Sequence, residues 1–145
     1  MFVLTSISTG IKAQKIVLKD GMYYIKKKPY TGIYKEYYDN KQLKAEFNIL
    51  DGRENGVCSI YYENGNLKEQ SAFDKGKKHG KWYNWNVNSI KVAEATYNND
   101  LKDGEWFIWD DNGTLRYEMF YEKGNKTGTW KMWDEHGNLT MEKNY

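Results

Sequence analysis

The sequence predicts an all-β protein: an elongated antiparallel meander of β-hairpins that builds one open sheet from a tandem repeat. Three observations predict it. Glycine recurs at Gly32, Gly56, Gly80, Gly104 and Gly128, each gap being 24 residues and none needing an insertion. A fixed period of this length is the mark of a repeat architecture. Within a repeat the side chains alternate, as in Leu43-Lys44-Ala45-Glu46-Phe47-Asn48-Ile49, where every odd member is apolar. Period two with one wet face is the signature of an antiparallel strand. Turn dipeptides punctuate the strands: Asn64-Gly65, Asn112-Gly113 and His136-Gly137 inside repeats, Lys75-Gly76 and Lys123-Gly124 between them. Asn-Gly supplies the positive φ of tight hairpins.

Taken in chain order, residues 1–14 come first. The apolar stretch Phe2 to Ile11, followed by Lys12-Ala13-Gln14, resembles the core and cleavage end of a signal peptide without its basic start. An ordinary N-terminal strand is the alternative, and the stretch is too short and polar to span a bilayer. Residues 15–31 read as an entry hairpin, with strands at Ile16 to Lys19 and Met22 to Lys26 around Asp20-Gly21. Residues 32–145 hold five repeats as one continuous domain.

Counted from each repeat glycine, a near aromatic column lies two residues on: Tyr34, Cys58, Trp82, Trp106 and Trp130. A far column lies five residues on: Tyr37, Tyr61, Trp85, Trp109 and Trp133. Further columns hold Leu43, Leu67, Lys91, Leu115 and Leu139; then Glu46, Gln70, Glu94, Glu118 and Glu142; then Ile49, Phe73, Tyr97, Tyr121 and Tyr145. The expected sheet has roughly ten to twelve strands and grows by about 10 Å per repeat, two strands at about 4.8 Å each. The third repeat is degenerate, with Asn88-Ser89 for Asn-Gly and Lys91 in the leucine column. A bulge or a one-residue slip there would return Ile90 to the apolar face, so the least regular hairpin is expected at this repeat.

Composition narrows the function classes. The 145 residues suit one domain. Mean hydropathy is low at −0.93, yet 17% of residues are aromatic, which argues for thin architecture rather than disorder. A net charge of +2 gives no strong pull toward nucleic acid, and Lys26-Lys27-Lys28 is the single basic cluster. One cysteine, Cys58, rules out an internal disulfide.

The pattern G-x-[WY]-x-x-[WY]-x-x-x-G-x-L-x-x-E, followed by an aromatic and G-x-x-x-G, resembles the variant MORN repeat over about residues 20–145. The segment Lys28-Pro29-Tyr30-Thr31-Gly32, with Tyr37-Tyr38-Asp39-Asn40 after it, resembles the entry of bacterial YwqK-type proteins, classed as antitoxins of toxin–antitoxin systems. That resemblance implies an interaction module whose partner is a cognate toxin. An export signal would suit an envelope or immunity protein better than a cytoplasmic antitoxin.

Catalysis needs a converging constellation, and the sequence offers none. His79 and His136 fall in different turn positions, and Cys58 fills an aromatic column as a buried thiol would. No metal-ligand spacing or phosphate loop occurs, so no catalytic residue, metal or cofactor is expected. Glu94, Glu118 and Glu142 read as a solvated charge ladder pairing across strands.

The aromatic columns are the candidate partner-binding residues: Trp82, Trp85, Trp106, Trp109, Trp130, Trp133, Tyr37 and Tyr61. Near and far columns differ by an odd number of residues, so on a flat strand they face opposite ways. A two-residue turn would put Trp106 beside Met119 on the apolar face. A three-residue turn with a glycine bulge would put Trp109 against Leu115, and this is the arrangement favoured. One column then belongs to the core and the other forms an aromatic stripe, unless the strand bulges and buries both. The expected function is a non-enzymatic protein-binding repeat module, with glycan or membrane-surface binding at a cell envelope as the alternative. The final strand, Thr140 to Tyr145, would be an open edge available for edge-to-edge self-association.

Overall fold

The computed structural model describes residues 3–4 and 15–145. The signal-peptide reading falls on residues 1–14, outside the described residues except for Val3–Leu4, a two-residue strand paired with Val17 and Ile16. Every regular element among the described residues is a β-strand.

Ten arms lie side by side in chain order, from Gly32–Tyr37 and Leu43–Leu50 at one end to Asn125–Trp133 and Leu139–Asn144 at the other. The sheet is antiparallel and open, as its alternation and turns dictate. Two-residue strands, such as Leu101–Lys102, pair back on the end of the preceding arm. The entry hairpin departs from expectation, because it does not lengthen this sheet. With Val3–Leu4 and Lys28–Pro29 it forms a separate four-stranded sheet. Its backbone bonds instead to the first inter-repeat turn, Tyr23 N–H to the Gly52 carbonyl at 2.9 Å and Gly52 N–H to the Tyr30 carbonyl at 2.7 Å. This lets Ile16 and Tyr23 cover Tyr34 and Ile49, the most completely buried cluster of the molecule.

All five hairpins share one register. In the fourth, Gly104 faces Tyr121, Trp106 faces Met119 and Ile108 faces Tyr117; the ladder then shifts and Trp109 faces Leu115. The same shift recurs between Glu36 and Tyr37, Ile60 and Tyr61, Asn84 and Trp85, and Met132 and Trp133. One residue of each second arm is therefore bulged out: Lys44, Lys68, Val92, Arg116 or Thr140. Both pairings weighed from the sequence occur together, because the bulge reconciles them.

The third repeat is no less regular than the others, contrary to expectation. Ser89 adopts φ +64°, as Gly65 and Gly113 do at +87° and +84° in the same position. The side chain of Asn86 offsets the cost of that left-handed conformation, accepting the amides of Asn88 and Ile90 at 3.1 and 3.0 Å. Asp110 caps the next turn the same way, taking Asn112 and Thr114. In these turns glycine, not the preceding asparagine, carries the positive φ. Between repeats, two-residue turns such as Asn99-Asp100 hold both residues at positive φ, at 49° and 70°, the twist that matches neighbouring strands.

Successive inter-repeat turns are bonded into a spine. Gly76 N–H meets the Glu54 carbonyl, Asp100 N–H that of Lys78, and Gly124 N–H that of Lys102, at 2.7 to 3.0 Å. Each first arm then leaves the spine through its repeat glycine. Gly104 has φ +97°, and a Cβ there would sit 3.4 Å from the Thr96 Cβ. Gly104→Ala is expected to cost about 1–3 kcal/mol from strain at that φ. Gly65→Ala, with open space around the added methyl, should cost less. Urea unfolding of the two variants checks the order.

Candidate functional site: two aromatic rows on opposite faces

Residues paired across an antiparallel ladder share a face. The near column thus sits with the column of Tyr97 and Tyr121 on one face. The far column, an odd number of residues further along the same arm, points to the other face, and the bulge in the second arm brings its leucine partners there with it. Each face has its own aromatic row, at opposite ends of the hairpins.

The near row is packed ring on ring, with only its last member, Tyr145, exposed at 45%. Phe73, Trp82, Tyr97, Trp106, Tyr121, Trp130 and Tyr145 form a continuous ring ladder with centroid separations of 4.8 to 5.4 Å. These spacings and tilts are those that aromatic quadrupoles favour. Each indole N–H donates to a backbone carbonyl of the preceding repeat at 3.0 Å, Trp82 to Ala72, Trp106 to Thr96 and Trp130 to Phe120. Lysines close the ladder from outside. Lys78 Nζ lies 4.4 Å from the Trp82 ring centre, Lys102 4.2 Å from Trp106 and Lys126 4.3 Å from Trp130. Each also covers the tyrosine beside its tryptophan, at 4.7 to 4.9 Å. These lysines went unread in the sequence, although a lysine two residues before the repeat glycine recurs three times. In the first repeat the position holds Glu54, which accepts the Tyr23 hydroxyl at 3.4 Å and whose carboxyl burial pushes above its usual range.

The far row is the less covered of the two, although its tryptophans are half-buried like those of the near row. Trp85 packs on Tyr83 with centroids 5.8 Å apart, and Trp109 on Phe107 at 5.7 Å. Lys91, in the leucine column, places Nζ 4.5 Å from the Trp109 ring centre. A cation–π contact thus replaces the aliphatic one found elsewhere. Tyr37 is 38% exposed and Leu139 51%. Among the described residues, the indole N–H groups of Trp85, Trp109 and Trp133 have no hydrogen-bond partner, and none is sealed from water. This reverses the expectation that Trp109 is core and Trp106 the residue in question. The Trp109–Leu115 pairing is as expected, but its face is the open one.

Beside the far row runs the glutamate column, which is only partly the solvated ladder expected. Glu46 pairs with Lys35 across the strands at 2.7 Å. Glu94, its side chain 15% exposed, meets Lys81 at 2.9 Å and Lys91 at 2.8 Å. Burial opposes its charged form, but hydrogen bonds from Lys91 and Lys81 outweigh that and hold its pKa below the ordinary value. Glu118 and Glu142 have no cation within ion-pair distance among the described residues.

Cys58 is 1% exposed and its thiol is pushed up to about 11 by burial. His79 and His136 are exposed and far apart, His79 linking two strands and His136 in a turn, rather than both in turns as expected. Among the described residues no cluster of His, Cys, Asp and Glu could hold a metal ion.

The geometry defines an open antiparallel repeat array whose two faces carry different aromatic rows. A family model described as MORN repeat variant matches residues 30–51, 54–75, 102–123 and 126–145. The chain belongs to this family of repeat modules, which serve protein or membrane interaction. The unmatched interval holds the third repeat, whose sequence departs most while its register does not. No curated protein matches the chain at a significant level.

Trp106→Phe keeps the ladder but removes one donor from a half-buried bond, and is expected to cost about 1–2 kcal/mol. Trp109→Phe removes a donor that has no protein partner among the described residues and should cost less than Trp106→Phe. Denaturant titrations separate them. Cys58 should resist alkylation at pH 8 in the folded protein and react on unfolding. Its pKa is raised from 9.0 to about 11, so its stabilising share is complete below pH 9 and is lost as pH rises toward 11. Stability followed from pH 8 to 11 should fall in that window, and less so in Cys58→Ala.

Proposed function

We propose that the chain is a non-enzymatic binding module for another protein, held on the face bearing Tyr37, Tyr61, Trp85, Trp109 and Trp133. One observation carries the reading. The near row spends every indole donor on the protein's own backbone, whereas the far row leaves three indole donors without a partner among the described residues. Tryptophan and tyrosine that combine large apolar area with an unmet polar tip are the side chains that anchor protein interfaces. Their support is rigid, because the sheet holds them at fixed intervals.

The resemblance to YwqK-type antitoxins suggests what the partner is. A cognate toxin would be neutralised by occlusion, with the aromatic row at the centre of the contact and Lys35, Lys81 and the glutamates at its rim. No covalent step is required.

Affinity capture from the native cell tests both levels. The wild-type chain should retain one protein in stoichiometric amount. Combined Trp85→Ala, Trp109→Ala and Trp133→Ala should lose it while keeping cooperative unfolding. Equal capture by both proteins would overturn the assignment of the face. If the captured protein arrests growth when expressed alone, co-expression of the wild-type chain but not the triple variant should restore growth.

A further inference from the structure

We propose that the far row takes a polyproline II segment of its partner, one with proline at every third residue and a Lys or Arg in the same triplet. The proposal deepens the protein-binding reading above and rests on it.

The first argument is spacing. Successive far-row residues stand two strands apart, about 10 Å at about 4.8 Å per strand. A polyproline II helix has three residues per turn and rises about 3.1 Å per residue, so equivalent side chains recur at about 9.3 Å. A proline on every turn therefore meets Trp85, Trp109 and Trp133 in succession. Sheet twist rotates the row by roughly 40–50° per repeat, which limits a straight segment to about these three residues.

The second argument is hydrogen bonding. A polyproline II backbone has no internal bonds, so its carbonyls point outward unpaired. The three far-row indoles are donors without acceptors among the described residues. Ring against pyrrolidine with indole N–H to carbonyl is how aromatic grooves hold such segments.

The third argument is charge. The glutamate column lies on the same face, each member paired across its hairpin with the residue two before the row: Glu94 with Tyr83, Glu118 with Phe107 and Glu142 with Lys131. Glu118 and Glu142 face Lys131 across the ladder, but no cation comes within ion-pair distance of either among the described residues. A basic side chain on the adjoining edge of the same polyproline helix would meet them. A chain lacking such cations would leave the two carboxylates against an apolar segment.

The full-length protein should be titrated with a peptide of five Pro-Pro-Arg triplets, followed by tryptophan fluorescence and calorimetry at low and high salt. Saturable one-to-one binding that weakens with salt is expected. Trp109→Ala should weaken it at least tenfold. Trp109→Phe, which keeps a ring and the fold, should weaken it roughly threefold by loss of one hydrogen bond. Glu118→Gln with Glu142→Gln should remove most of the salt dependence. A peptide of Gly-Gly-Arg triplets should not bind. No binding, binding of the glycine peptide alike, or indifference to Trp109→Phe and Trp109→Ala would each overturn the proposal. A photo-crosslinker at position 109 in native cells distinguishes the two readings. Cross-linking to a protein at a segment without proline overturns this inference and leaves the binding face intact. Cross-linking to no protein, with glycan or lipid recovered instead, overturns both.

Discussion

The carbonyl of Thr96 accepts two hydrogens, one from the Asp103 amide and one from the Trp106 indole, both at 3.0 Å. Ala72 does the same one repeat earlier for His79 and Trp82. The rest of the array depends on this pairing. A single-layer sheet has no second layer to bury its side chains, so each tryptophan must be fixed by its own strand neighbours. The indole bond sets the ring's angle. Tyr97 and Tyr121 then stack on either side of Trp106, and Lys102 closes the top. Each ring pair contributes about 0.5–1.5 kcal/mol beyond its buried area, and each lysine about 0.5–1 kcal/mol. Repetition makes these modest quantities sufficient.

Burial is uneven along the array. The most buried side chains, Ile16, Tyr23, Tyr34, Ala45, Ile49 and Cys58, all lie in the entry sheet and the first two repeats. There the entry hairpin supplies the covering layer. Beyond the second repeat the ring ladder takes over, and stability becomes a matter of neighbouring repeats. This is why Tyr34 and Cys58 can occupy the near column without an indole donor: their surroundings are already dry.

The two faces divide the aromatic columns unequally. The near row is spent on architecture, and its lysines screen its rings. The far row shares the same backbone, so it inherits the repeat spacing. An array built this way presents aromatics at regular intervals on a surface held rigid by the sheet.

Much of this was legible in the residues. The glycine period, the ten arms, the turn positions and the two aromatic columns follow from Gly32 to Gly128 and their neighbours, because each reflects a local requirement of φ or alternation. Even Lys91 and Ser89, which looked like defects, sit in the common register. What the sequence could not disclose was the bulge after the leucine column. Lys44, Lys68 and Arg116 are basic and polar as an outward-facing strand residue would be, and Val92 and Thr140 follow no turn chemistry, so the alternation reads as one unbroken strand. The periodicity by itself determined a hairpin array with two aromatic columns five and two residues from each glycine. Only the tertiary structure decided which column is closed and which is open. That choice rests on a carbonyl of the preceding repeat that comes within reach of one indole only when the strands are assembled, while the bulge decides which face the leucine column joins.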